Sequence, residues 1–133
     1  MPKVVSTEND QVIEVWVSAP GDVNRLYICT GIAIVNLKGE SEDRWTQESV
    51  MFWVGPTGRD INCIAAIAAA SLAKVYNDKS WNSGGFYVGP VEADWDDGKG
   101  RVKVTADIAA RDEDGLLWAI SYQVFILVYQ PKG

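Results

Sequence analysis

The run Asp60-Ile-Asn-Cys-Ile-Ala-Ala-Ile-Ala-Ala-Ala-Ser-Leu-Ala-Lys-Val-Tyr76 contains no Gly or Pro, and Lys74 is its only charge after Asp60. Ala and Leu favour helix over other backbone states. At about 100° per residue, Ile61, Ile64, Ala65, Ala68, Leu72 and Val75 share one face. The pattern predicts a helix over residues 60–76. Its back carries Cys63, Ala66, Ile67, Ala70 and Ala73, with only Asn62 and Lys74 to meet water. A helix covered on one side is polar on the other, so this one is expected to be covered on both. The back face, Cys63, Ala66, Ile67, Ala70 and Ala73, is the expected subunit interface.

On either side of this run the apolar residues alternate, as they do along strands. Gln11–Ala19 sets Ile13, Val15 and Val17 against Val12, Glu14, Trp16 and Ser18. Arg25–Leu37 and Leu116–Tyr129 are apolar at both odd and even positions, the signature of strands covered on two faces. Thr46–Val54, Phe86–Trp95 and Arg101–Ala110 complete the set, the last with Arg101, Lys103, Thr105 and Asp107 on a wet face. Turns fall at Pro20-Gly21-Asp22, Asp96-Asp97-Gly98 and Asp112-Glu113-Asp114-Gly115. Residues 1–10 read as a polar lead-in. The expected fold is α+β in the order β-β-β-α-β-β-β, a largely antiparallel six-stranded bent sheet, as a half-barrel or sandwich around one central helix. The 133 residues suit a single domain.

Composition removes whole classes of function. Histidine is absent, which excludes Ser-His and Cys-His nucleophile pairs and His-ligated metal sites. Twelve Lys and Arg against 18 Asp and Glu give a net charge of −6, which opposes the counterion release that drives general nucleic-acid binding. No nucleic-acid or membrane partner is expected. The N-terminus shows no secretory signal and no segment reaches the roughly 20 apolar residues of a membrane-spanning helix, so a soluble protein of the cytoplasm or a virion is expected. Cys29 and Cys63 lack metal or redox spacing and read as small buried apolar residues.

Several local patterns approach known chemistry. Asp94-x-Asp96-Asp97-Gly98 begins like a calcium loop, but the position of the twelfth-residue Glu is Thr105, and a hairpin turn is the better reading. Gly55-Pro-Thr-Gly-Arg59 precedes the expected helix and lacks phosphate-loop order; Arg59 is the one cation there suited to an anion. Ser71 and Lys74 outline SxxK without the other parts of a Ser-Lys hydrolase. Carboxylates are abundant, yet no two are set in an apolar pocket as glycoside hydrolysis requires. Of the six Trp, Trp16, Trp53 and Trp118 lie mid-strand and are expected to pack. Trp45, Trp81 and Trp95 lie in or beside loops and are expected to contact a partner or ligand.

No catalytic residue, cofactor or metal ligand is singled out. The order of strands, helix and strands is similar in outline to subunits of phage and secretion tubes, without a shared motif. The expected function is that of a non-enzymatic, self-associating structural or interaction protein, a homo-oligomer such as a viral or tube-like particle uses. A half-barrel holding a small apolar ligand is the alternative, and a histidine-free carboxylate hydrolase comes third.

Overall fold

The computed structural model describes residues 2–19, 22–41, 43–56, 62–77, 85–112 and 115–131. They form eight strands: β1 (Lys3–Val4), β2 (Ser6–Ala19), β3 (Asp22–Lys38), β4 (Thr46–Val54), β5 (Asn62–Asn77), β6 (Gly85–Asp96), β7 (Arg101–Arg111) and β8 (Gly115–Pro131). Sheet A has the order β1-β4-β7-β6 and sheet B the order β2-β3-β8-β5. Every pairing is antiparallel except that of β1 with β4. Two facing sheets make a sandwich, with β6 lying beside β5 along one flank.

The core is made from alternate residues of the middle strands. Val50, Phe52 and Val54 of β4 and Val102, Val104, Ala106 and Ile108 of β7 meet Tyr27, Cys29, Ala33 and Val35 of β3 and Tyr122, Val124, Ile126 and Val128 of β8, all buried. Burial at every second position is what a strand pattern of period two produces when one face packs inward. The rings of Phe52 and Tyr122 bridge the sheets at 5.1 Å between centroids.

The helix expected over 60–76 is a strand. Residues 62–77 form β5, hydrogen-bonded to β8 over nearly their whole length; Asp60 and Ile61 lie outside the described residues. The fold is therefore all-β rather than α+β, with two four-stranded sheets in place of one bent six-stranded sheet. Two physical causes overrode the helical signal. Tertiary context decided: β8 is apolar on both faces and its free edge required a long partner, a demand that outweighs the few tenths of a kcal/mol per residue in helix propensity. The register of β5 also shifts between Cys63 and Ala65, between Leu72 and Lys74, and between Lys74 and Val75. Each bulge breaks the period of two, so the apolar residues fall by chance into a helical spacing.

The expected lead-in at residues 1–10 contains β1 and the beginning of β2. After Val5, whose amide donates to the Met51 carbonyl at 3.0 Å, the chain crosses from sheet A to sheet B. Glu8 to Trp16 are exposed on both faces of that strand.

One interior contact fastens β2 to the body of the protein. Asn9 has a positive φ of 56°, and the register between β2 and β3 shifts between Glu8 and Gln11. This bulge sets Asn9 and Asp10 against the single residue Gly31. On the other side of Gly31 is its β8 partner Tyr122. A Cβ on Gly31 would lie 2.5 Å from the Tyr122 hydroxyl and 2.6 Å from its ring, so glycine alone lets the ring cross β3. The Tyr122 hydroxyl thereby reaches the Asp10 carboxylate and donates a hydrogen bond to it.

Candidate interaction surface

The outer faces of the two sheets differ in chemistry. On sheet A the outward residues are Gln47, Ser49, Met51 and Trp53 of β4, Arg101, Lys103, Thr105 and Asp107 of β7, and Tyr87, Glu92, Asp94 and Asp96 of β6. Opposite charges stand side by side across the strands, Lys103 beside Asp94 and Arg101 beside Asp96. Such cross-strand pairs suit a face that stays in water.

Sheet B is the reverse. Its register sets Ile13 of β2, Ile28 of β3, Phe125 of β8 and Ile67 of β5 in one row across all four strands. The next row is Val15, Leu26, Leu127 and Ala65. All eight point away from the core. Ile67 is 69% exposed, Ile13 58% and Phe125 36%. An uncharged row, the polar Gln11, Thr30 and Gln123 with Ala69, lies on one side. The result is a continuous apolar band across an open sheet, of the kind that marks an interaction site.

The expected interface residues divide between the two faces of β5. Ile67 belongs to the outward band, and Ala73 is exposed. Ala66 and Ala70 turn inward and pack against the core; the side chain of Cys63 lies outside the described residues. Among the Trp, Trp45 is exposed with the Arg111 guanidinium 5.0 Å above its ring, while Trp95 packs partly buried against the core. Trp16, expected to be packed, is 58% exposed and lies under the Arg25 guanidinium at 4.1 Å. Trp81 and Arg59 lie outside the described residues. The structure thus does not gather Trp45 and Trp95 into one site.

The local motifs resolve into structure. The Asp94–Gly98 stretch ends β6 in a hairpin turn: Asp96 Oδ1 accepts from the amides of Gly98 at 3.0 Å and Lys99 at 3.3 Å, and Oδ2 accepts from Trp53 Nε1 at 2.9 Å. The bond from Trp53, then those from the two amides, hold the Asp96 carboxyl below its ordinary pKa. Gly55 does not precede a helix; its carbonyl accepts from Arg101 Nε at 3.1 Å. Ser71 shares a hydrogen bond with Ser121 at 2.7 Å, and Lys74 sits over the ring of Tyr76 at 5.4 Å. Each is thus engaged by a partner other than the one a Ser-Lys pair requires. An open, polar depression of about 470 Å³ on sheet A is lined by residues including Glu48, Ser49, Tyr87 and Asp107. Its carboxylates are engaged by ordinary partners, Glu48 by Lys3 at 3.9 Å and Asp107 by the Ser49 hydroxyl. Burial pushes the Cys29 thiol up to about 11, the state of a structural and unreactive cysteine.

Alternation in the sequence identifies Ile13, Val15, Leu26, Ile28, Phe125 and Leu127 as facing one way within each strand. That they form one surface depends on strand order, which pairs β8 with both β3 and β5 and leaves this face uncovered by any element among the described residues. Compared with protein-family models, curated proteins and solved structures, the chain matches none of them.

Proposed function

We propose that this protein is a non-enzymatic structural subunit that associates with copies of itself through the outer face of sheet B. The observation that carries the reading is the apolar band of Ile13, Ile28, Phe125 and Ile67 with Val15, Leu26, Leu127 and Ala65, set against the charged and paired outer face of sheet A. A monomer in water has every reason to be polar on both outer faces, as open antiparallel sheets are. With strands roughly 4.8 Å apart and residues roughly 3.3 Å along them, four strands over a dozen residues offer a footprint of about 750 Å². That is close to the roughly 800 Å² each partner contributes to a standard stable interface.

The likeness to tube subunits rested on a helix between strands and does not extend to an all-β chain. A ligand-holding half-barrel finds less support, because the facing strands fill the interior with their own side chains. Sedimentation velocity from low to high micromolar concentration, with native mass spectrometry, tests the reading. An oligomer is expected. A wild type that stays monomeric throughout that range would overturn it.

A further inference from the structure

The apolar band has a symmetry of its own. Each row places similar residues at mirrored strand positions: Ile13 on edge strand β2 and Ile67 on edge strand β5, Ile28 and Phe125 on the inner strands, then Leu26 and Leu127 in the next row. Beyond the band, charge is placed in opposition. Glu8 stands on β2 in the row of Ile32, Ser121 and Ser71, and Lys74 stands on β5 one row further, opposite Ala119. Both are exposed. They lie near the same end of the sheet, at opposite edges, with the same outward sense.

A two-fold axis lying in the plane of contact and running along the strands, between β3 and β8, turns one copy onto another with β2 over β5. It brings Ile13 over the partner's Ile67, Ile28 over the partner's Phe125 and Leu26 over the partner's Leu127. It also brings Glu8 toward the partner's Lys74, twice per pair. An axis running across the strands instead sets β2 over β2, so that Glu8 meets no cation among the outward residues of β2. Isologous contacts need a self-complementary patch, and sheets pack face to face with their strands nearly aligned. Only the first axis satisfies both and also pairs the charges. Lys38, at the end of β3, then lies over the partner's β8 near Leu116.

We infer that the unit of assembly is a two-fold dimer in which the outer faces of sheet B pack with β2 over the partner's β5. The inference rests on the self-association proposed above and adds its geometry and register.

Thiol cross-linking tests it. Sheets packed face to face lie about 10 Å apart, more than the roughly 7 Å between Cα atoms that a disulfide spans, so a short bismaleimide is the probe. Position 13 of one copy then lies opposite position 67 of the other, whereas position 13 of the other is three strand spacings to the side, about 14 Å further. In a background carrying Cys63→Ser, Ile13→Cys and Ile67→Cys are made as separate variants, treated with the reagent alone and as an equimolar mixture, and run on a denaturing gel. The mixture is expected to give a covalent dimer linking position 13 of one copy to position 67 of the other, and neither variant alone is expected to do so. A covalent dimer from Ile13→Cys alone shows β2 over β2 and overturns the inferred axis. A mixture that does not cross-link, while native mass still shows oligomers, overturns the geometry and leaves self-association standing. A monomer in native mass, with or without a small apolar ligand, overturns both.

Charge reversal gives an independent arm. Glu8→Lys and Lys74→Glu are each expected to weaken the dimer about tenfold at low salt, and mixing the two variants to restore it, because the mixed pair regains both oppositely charged contacts. Equal affinity of the single variants and their mixture would count against the inferred register.

Discussion

The bond from Tyr122 to Asp10 across Gly31 allows a mutational cycle whose asymmetry follows from burial. Tyr122 is 4% exposed, its ring lies against Phe52, and its hydroxyl has the Asp10 carboxylate as acceptor. Asp10 itself is exposed. Tyr122→Phe removes the donor and returns the carboxylate to water, so only the net worth of the bond is lost, about 1 kcal/mol. Asp10→Ala removes the acceptor and strands a buried hydroxyl, which costs about 2–3 kcal/mol. In the double variant nothing is left unsatisfied, and its stability is expected within about 0.5 kcal/mol of Tyr122→Phe alone. The interaction energy is therefore about 2–3 kcal/mol, with the more exposed residue giving the larger single effect. Urea unfolding followed by circular dichroism at neutral pH measures all four corners, with equal m values required. Equal single effects that simply add would refute the crossing of β3 by Tyr122, as would a smaller cost for Asp10→Ala than for Tyr122→Phe.

Phe125→Asp, in the middle of the apolar band, is expected to leave the folded subunit within about 1 kcal/mol of wild type. It should nevertheless weaken assembly by more than about a hundredfold, read by sedimentation equilibrium. Ala70→Glu should do the opposite, because Ala70 faces the core: it is expected to cost about 3 kcal/mol or more in urea unfolding, and a variant of unchanged stability would refute the inward placement. Cys29, with its pKa near 11, should be alkylated by iodoacetamide at pH 8 at least about a hundredfold more slowly than a free thiol until the chain is denatured; intact mass in a Cys63→Ser background reads this. Because the folded Asp96 carboxyl is held below its ordinary pKa, its contribution is complete above the unfolded value of about 4 and is lost as pH falls below it. Asp96→Asn should therefore flatten the acid limb of a stability profile below about pH 4 and leave its slope near pH 7 unchanged.

Six strands could be read from alternation and turn residues, and Thr46–Val54 coincides with β4 at both ends. Residues 60–76 could not, and the reason is local. Ala has little preference for one face, and three register shifts in β5 remove the alternation that would have marked a strand. Gly31 offered a clue, since glycine inside an apolar strand signals a close approach; what approaches it is a ring from the last strand, which no short-range pattern reveals. The surface was half legible. Arg25–Leu37 and Leu116–Tyr129 each showed two apolar faces, but whether the second face met a helix, another sheet or another molecule depended on strand order. The surroundings of the loop Trp residues were not legible for a related reason: Arg111 lies over the Trp45 ring and Trp95 leans into the core, contacts made by residues distant in sequence.

The position of β8 also governs how the chain reaches this state. It follows the other seven described strands in the chain, yet it lies between β3 and β5, and among the described residues sheet B has no other connection between its two halves. Until Gly115–Pro131 has left the ribosome, the Ala-rich β5 has no neighbour in its sheet and the β2–β3 hairpin carries an apolar open edge. Pairings so distant in sequence form slowly, and unpaired apolar edges are prone to associate wrongly in the interval. A nascent chain that stops before residue 115 would present all of that surface at once. Yield during synthesis should therefore depend on how quickly the final seventeen-residue strand finds its slot, and slowing translation just upstream of it should increase aggregation more than the same pause placed after β2.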